Sequence, residues 1–146
     1  MNPLRTAGRV ALSWVFVSSG ADVLRHPQKP TATAGWLFEG ARAVSPVPVP
    51  ADVALVRLNA AVQVAAGTAL ALGAGERRAA AVLIGSLVPT TVGGHAFWRH
   101  EDPVLRKTNQ VQFSKNISLL GGLLTVLGTA GTSSRRHRRF REGGST

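Results

Sequence analysis

The chain has 146 residues, a length that corresponds to a single domain. It carries a formal net charge of +10, from 17 Lys and Arg against 7 Asp and Glu, and contains no Cys. The lack of Cys excludes disulfides, thiolate-bound iron–sulfur clusters and thiol exchange by this chain alone. The basic residues either lie scattered between apolar runs or crowd the C-terminal end, so they form no basic stripe and no nucleic-acid partner is predicted.

Four apolar segments predict an all-α membrane protein. They span residues 7–24, 51–75, 79–98 and 116–131, and the last reaches full length if its helix begins earlier, near Gln110. A helix needs about 20 mostly apolar residues to cross the hydrocarbon core of a bilayer. The runs "AAGTALALGAG" and "LLGGLLTVLG" lack the polar stripe of a soluble bundle helix. We therefore predict four transmembrane helices in an up-down-up-down bundle, against the alternative of a soluble four-helix bundle.

The first segment follows Arg5 and Arg9 and runs into "SSGA", a pattern that a cleaved signal peptide shares. We expect it to be retained, because its apolar run continues to Leu24 and its removal would leave three helices. Pro89 lies inside the third segment and is expected to bend that helix rather than end it. Before the second segment, "TATAGWLFEGARAV" predicts a short interfacial helix, so the bundle carries interfacial loop segments at one end.

The predicted membrane domain covers residues 1–131, and residues 132–146 form a basic tail that is expected to be disordered. Its arginines are Arg135, Arg136, Arg138, Arg139 and Arg141. With four spans, both chain ends and the link between the second and third segments share one side of the membrane. Lys and Arg are more numerous on that side, chiefly through the tail, so the positive-inside rule predicts that both termini are cytoplasmic.

Strongly polar residues lie where the first and third segments end and where the second and fourth begin. In an up-down-up-down bundle these four points meet at one end, whichever way the protein faces. The candidate ligand-binding residues there are His95, Trp98, Gln112, Lys115 and Asn116. A second group is predicted to form a buried ion pair and polar cluster, namely Asp22, His26, Arg57, Asn59 and Gln63. Spacings of three, four and seven residues place three sets each on one helix face: Asp22 with His26, Thr91 with His95 and Trp98, and Gln112 with Lys115 and Asn116.

Each of these groups also has a simpler interpretation. Arg57 and Lys115 can extend to the membrane interface, where long basic side chains keep their charge in water. Trp98 is typical of an interfacial anchor.

No closely spaced ligand pair such as HxxxH occurs, so no metal site is predicted. The second segment repeats small residues every four positions, at Ala61, Ala65, Ala69 and Gly73, which predicts a face on which a neighbouring helix can approach closely.

The whole pattern resembles the DoxX family of small four-helix membrane proteins, in its actinobacterial form. The resemblance rests on "NPLRTAGRVALSWVFVSSGADVLRHP", "RLNAAVQVAAGTALALG", "GSLVPTTVGGHAFW" and "QVQFSKNISLLGGLL". It implies an integral protein of the bacterial inner membrane. The family takes its name from a subunit of a quinone-linked sulfur oxidoreductase, and some actinobacterial relatives are associated with oxidative-stress and thiol-homeostasis complexes. Without Cys, the name transfers to this chain more safely than the reaction does.

Two functional hypotheses follow. The first is a membrane subunit or anchor of a redox-linked complex, with a polar small-molecule pocket at one end of the bundle and a quinone as candidate ligand. The second is a scaffold or a lipid- or solute-binding protein in which the polar cluster only stabilises helix packing. In both, the chain is a non-catalytic component rather than an enzyme on its own. The lipid bilayer is the predicted partner, and redox enzymes and a second copy of the chain are left open.

Overall fold

Five α-helices make up most of the chain in the computed structural model, which describes residues 3–46, 48 and 50–130. The helices are α1 (Pro3–Arg25), α2 (Gln28–Val44), α3 (Asp52–Leu72), α4 (Glu76–Gly94) and α5 (Pro103–Thr129), with a 3₁₀ turn at Phe97–Arg99 after α4. No strand occurs within the described ranges, which confirms the all-α class. Among the described residues, two helical stretches are long and apolar enough to cross a membrane, Asp52–Leu72 and Glu76–Arg99. The predicted basic tail lies outside the described residues.

Helices α1 and α3 pack closely because a glycine lies on each side of their contact. A Cβ on Gly20 would meet the Ala60 carbonyl oxygen at 2.9 Å, and one on Gly67 would meet Val17 Cγ2 at 3.0 Å. Later residues of α1 meet earlier residues of α3, so the two helices run antiparallel. Phe16 is buried on this face, in one apolar core with residues of α3, α4 and α5.

The predicted packing face of α3 is wrong at Ala61 and Ala65 but not at Ala69, which packs partly buried against the apolar core. Ala61 and Ala65 are exposed, whereas Ala60, Gln63, Gly67 and Leu70 are the buried residues of this helix. Both sets recur every three or four residues along α3, so the spacing alone is compatible with either set forming the packing face. The face is decided by the partner, because α1 presents Gly20 and Phe16 to the side of α3 that carries Gly67.

The region before α3 holds a longer helix than the sequence predicts. The expected short interfacial segment lies within α2, which has 17 residues and contacts α3 and α4. Arg42, near its C-terminal end, forms an ion pair with Asp52 at the start of α3. The Arg99 guanidinium lies 4.6 Å from the ring centroid of Trp36, a cation–π contact that joins α2 to the turn after α4.

Helix α5 begins at Pro103, about two turns before the predicted start near Gln110. The Asp102 carboxylate caps it by accepting hydrogen bonds from the backbone N–H groups of Val104 at 2.7 Å and Leu105 at 3.0 Å. Asp followed by Pro is a strong helix-start signal, and the basic residues after it do not oppose a helix outside the apolar segment. As expected, Pro89 does not end α4, which continues to Gly94.

Candidate functional site

A cavity of about 550 Å³ lies among α1, α3, α4 and α5, and it is called the polar cavity below. Its wall is apolar at Val15, Phe16, Leu87 and Leu119. Its polar lining comes from Ser19, Gln63, Thr90, His95, Gln112, Lys115, Asn116 and Ser118. This combination of apolar walls and a few polar groups from several elements is typical of small-molecule sites.

Four of the five residues predicted to share a pocket line this cavity, namely His95, Gln112, Lys115 and Asn116. Trp98 does not. Its ring packs edge-on against Phe97 and Phe113, with centroids 5.1 and 5.9 Å away, and the residue is 51% exposed. The prediction placed Trp98 by helical spacing from His95, but α4 ends at Gly94 and the following turn redirects the chain.

Asn116 is held against α4 by a hydrogen bond between helices. Its Nδ2 donates to Thr91 Oγ1 at 3.0 Å, and that hydroxyl donates to the Leu87 carbonyl one turn earlier at 2.7 Å. Thr91 is 5% exposed, so this contact is well shielded. The Asn116 side chain is therefore positioned by protein contacts and has a structural role whatever else it does.

His95 is oriented by a second bond to α5. Its Nδ1 lies 3.3 Å from Asn109 Oδ1, and Asn109 Nδ2 donates to the Leu105 carbonyl at 3.0 Å. Asn109 was absent from the predicted site, because it lies in the stretch before the predicted start of α5. The helix-start signal at Asp102 and Pro103 would have placed Asn109 within α5.

Lys115 and Gln112 differ from the other two. Neither side chain has a hydrogen-bond or ion-pair partner among the described residues, although both line the polar cavity. Both residues are exposed, and together with Ser19 they are the polar lining residues without such a partner in the described part of the chain.

Gln63, which is 7% exposed, belongs to a polar cluster between α3 and α4. Its Nε2 donates to Thr90 Oγ1 at 3.3 Å, and Asn59 Nδ2 donates to the same oxygen at 2.9 Å. Ser86 completes the cluster by donating to Asn59 Oδ1 at 2.7 Å. Asn59 and Gln63 therefore lie in one cluster, as expected, with partners on α4.

The other members of that predicted group lie elsewhere, and the buried Asp22–Arg57 ion pair is wrong. Asp22 contacts His26 at 3.3 Å instead, and their side chains are 75% and 70% exposed. Arg57 lies on the exposed side of α3. It falls there because the inward side of α3 near this level is occupied by Asn59, Ala60 and Gln63.

A second cavity of about 310 Å³ lies on the other side of this cluster, among α1, α2, α3 and α4. It is almost wholly apolar and is lined by Val23, Pro30, Ala34, Leu37, Phe38, Leu55, Val56, Ala60, Pro89 and Gly94. Its polar lining residues are Asn59, Gln63 and Thr90. Gln63 and Thr90 line both cavities, so they form the wall between them.

An ion cluster at the opposite end of the molecule was missed. Glu76, at the start of α4, pairs with Arg5 and with Arg9, whose Nη1 lies 2.5 Å from the carboxylate. Arg9 is only 8% exposed, so the expectation that strongly polar groups gather at one end is wrong. The available signal was the single acid in the link between the second and third segments, which a count of Lys and Arg alone overlooks.

The DoxX family model matches residues 4–96, well over half of the chain, so the match ends just after His95 and does not reach α5. No curated protein and no solved structure matches the chain. The match confirms the resemblance over the first three apolar segments, and the fourth lies outside it. The chain belongs to the DoxX family, which is membrane-associated.

Proposed function

We propose that the chain is a multi-pass protein of the bacterial inner membrane, with α1, α3, α4 and α5 as four spans of an up-down-up-down bundle and both termini cytoplasmic. Helices α1 and α5 have 23 and 27 residues, enough at about 1.5 Å per residue to cross a core of about 30 Å. Large apolar side chains are exposed on all four helices, among them Trp14, Leu58, Val82 and Leu124. Such a surface suits lipid rather than water.

Within this frame, we propose that the polar cavity binds a small molecule with a polar ring or head, and that the chain serves as the membrane subunit or anchor of a redox-linked complex. The observation that carries this is the pair Lys115 and Gln112, which line the cavity without protein partners. Polar groups in a membrane bundle cost free energy unless they find partners. A ligand or water can supply those partners.

A quinone is the candidate ligand, and each lining residue has a role toward it. Gln112 can donate to a ring oxygen, and the Lys115 ammonium can stabilise negative charge on a reduced ring. His95 and Asn116 are held in place by their own hydrogen bonds and can contact the ring with little reorganisation. The chain itself supplies no Cys, so thiol chemistry in such a complex would belong to a partner enzyme.

The alternative is a non-catalytic scaffold or lipid-binding protein whose polar residues only stabilise packing. It is favoured by the hydrogen bonds that Asn59, Gln63 and Asn116 make between helices. The two functions differ in what the cavity contains in the native membrane.

The test is to purify the full-length chain from its native membrane and identify extracted small molecules by mass spectrometry. An unrelated four-helix membrane protein, purified in parallel, gives the lipid background. A quinone or other ring compound enriched at near one per chain supports the proposed function. An extract that matches the background favours the scaffold. A crosslinked redox enzyme in the same preparation would identify the partner.

A further inference from the structure

We propose that the polar cavity selects ligands that donate hydrogen bonds, such as a hydroquinone or another hydroxyl-bearing ring, over ligands that only accept them. This inference rests on the proposed binding function and specifies the ligand class. It follows from the direction of three hydrogen-bond chains that line the cavity. The last group in each hydrogen-bond chain is a backbone carbonyl, which can only accept a hydrogen bond. This determines which atom donates and which accepts in each of the preceding bonds.

The first chain runs from Asn116 to α4. The Thr91 hydroxyl donates its one hydrogen to the Leu87 carbonyl, so its oxygen must accept from Asn116. The Asn116 amide therefore presents its nitrogen to Thr91. Its Oδ1 is left without a hydrogen-bond partner among the described residues.

The second chain runs from Gln63 along the wall between the cavities. The Thr90 hydroxyl donates to the Ser86 carbonyl at 2.8 Å, so Thr90 must accept from the amide of Gln63. Gln63 Oε1 then has no partner within the described ranges, although the residue is more than nine-tenths buried. Gln63 lines both cavities.

The third chain runs from His95. Asn109 Nδ2 donates to the Leu105 carbonyl, so Asn109 Oδ1 is the atom that accepts from His95 Nδ1. A neutral imidazole that donates from Nδ1 presents Nε2 as an acceptor. In this form, His95 adds a third acceptor to the carbonyl oxygens of Gln63 and Asn116.

These three acceptors come from α3, from α5 and from the residue that follows α4, and all three residues line one cavity. Each amide keeps one further N–H, and Lys115 adds an ammonium, so the site also has donors. A hydroxyl both donates and accepts and can use both kinds of group. A bare carbonyl can only accept, so it leaves these three acceptors without a hydrogen bond. A site whose polar groups stay unpaired with one analogue discriminates strongly against that analogue.

The test uses duroquinol and duroquinone, which differ by two hydrogens and have fully substituted rings that resist attack by amines. Binding to the full-length chain in lipid nanodiscs is measured anaerobically by equilibrium dialysis, with empty nanodiscs correcting for partition into lipid. We expect duroquinol to bind about tenfold or more tightly than duroquinone. Equal affinities, or tighter binding of duroquinone, would overturn this inference and leave the binding function standing. No specific binding of either compound would overturn both.

Two matched variants locate the discrimination. Gln63→Met removes a fixed acceptor and should reduce the affinity ratio of duroquinol to duroquinone severalfold. Gln112→Met removes an amide that no protein contact orients, so it should weaken both ligands alike and leave the ratio unchanged. An unchanged ratio in Gln63→Met, or a ratio lost only in Gln112→Met, contradicts the assignment of the acceptors. The comparison of the two ligands on the unaltered chain decides the inference even if a variant does not fold.

Discussion

Arg9 and Glu76 form an ion pair that joins the second turn of α1 to the start of α4, with 2.5 Å between the guanidinium and the carboxylate. The Arg9 side chain is largely buried, and its Nε has no hydrogen-bond partner among the described residues. Gly73 adopts a φ of 75° beside it, and a Cβ there would meet the Arg9 guanidinium at 3.1 Å. The α3–α4 turn thus packs against the ion pair.

We predict that Glu76→Gln lowers the free energy of unfolding by about 3–5 kcal/mol, because it leaves a buried arginine without its anion. Adding Arg9→Met to Glu76→Gln should recover part of that loss, since the stranded charge is then gone. Glu101→Gln, at an exposed residue without an ion-pair partner in the described part of the chain, is the matched control and should change little. Denaturation in mixed detergent measures all of these. Strictly additive losses would argue against the pair.

A second prediction concerns the wall between the two cavities. Thr90→Val keeps the shape of the side chain but removes the hydroxyl that accepts from Asn59 and Gln63. Two amides lose their partner, so we expect a loss of about 1–2 kcal/mol in the free energy of unfolding. Thr125→Val is the control, because the Thr125 hydroxyl bonds only the Gly121 carbonyl of its own helix. Equal effects of the two changes would show that the wall adds no stability.

The third prediction tests the close approach of α1 and α3. Gly20→Ala places a methyl group 2.9 Å from the Ala60 carbonyl oxygen, which forces the helices apart and should cost about 1–3 kcal/mol. Gly85→Ala introduces the same methyl group in α4, where nothing lies within 4 Å. There the change should be neutral or slightly stabilising, because alanine favours a helix over glycine. Thermal unfolding in detergent separates the two. The contact would be contradicted by a Gly20→Ala variant as stable as Gly85→Ala.

The fourth prediction is the orientation of the chain. Reporter fusions after Thr146 and in the connection between α2 and α3 should report opposite sides of the membrane, with the C-terminal fusion cytoplasmic. The reason is the excess of Lys and Arg on the side of the chain ends. A cytoplasmic signal from the α2–α3 connection would reverse the orientation.

The sequence predicts the helical class and most of the polar cavity, because apolar length and helical spacing are local properties. His95, Gln112, Lys115 and Asn116 line one cavity since two antiparallel helices bring their facing positions together. Trp98 was misplaced because the prediction extended α4 by one turn past its end at Gly94.

The errors in pairing have a different origin. Asp22 and Arg57 carry opposite charges at suitable heights, but which faces of α1 and α3 meet depends on the fit of Gly20 and Gly67. Glu76 was overlooked as a partner of Arg9 for the same reason, since long-range pairing follows from helix rotation. Spacing within one segment does not determine that rotation.

The central claim is that the polar cavity binds a small molecule through side chains that packing does not require. Its most direct test compares Lys115→Met and Gln112→Met with Gln110→Met, a control on α5 whose side chain does not line the cavity. The bound compound is quantified by mass spectrometry, and the thermal unfolding midpoint in detergent is measured on the same preparations. The account predicts that Lys115→Met and Gln112→Met lose most of the bound compound at an unchanged midpoint, while Gln110→Met keeps it. Retention of the compound by both cavity variants, or its loss only together with the fold, would contradict the claim.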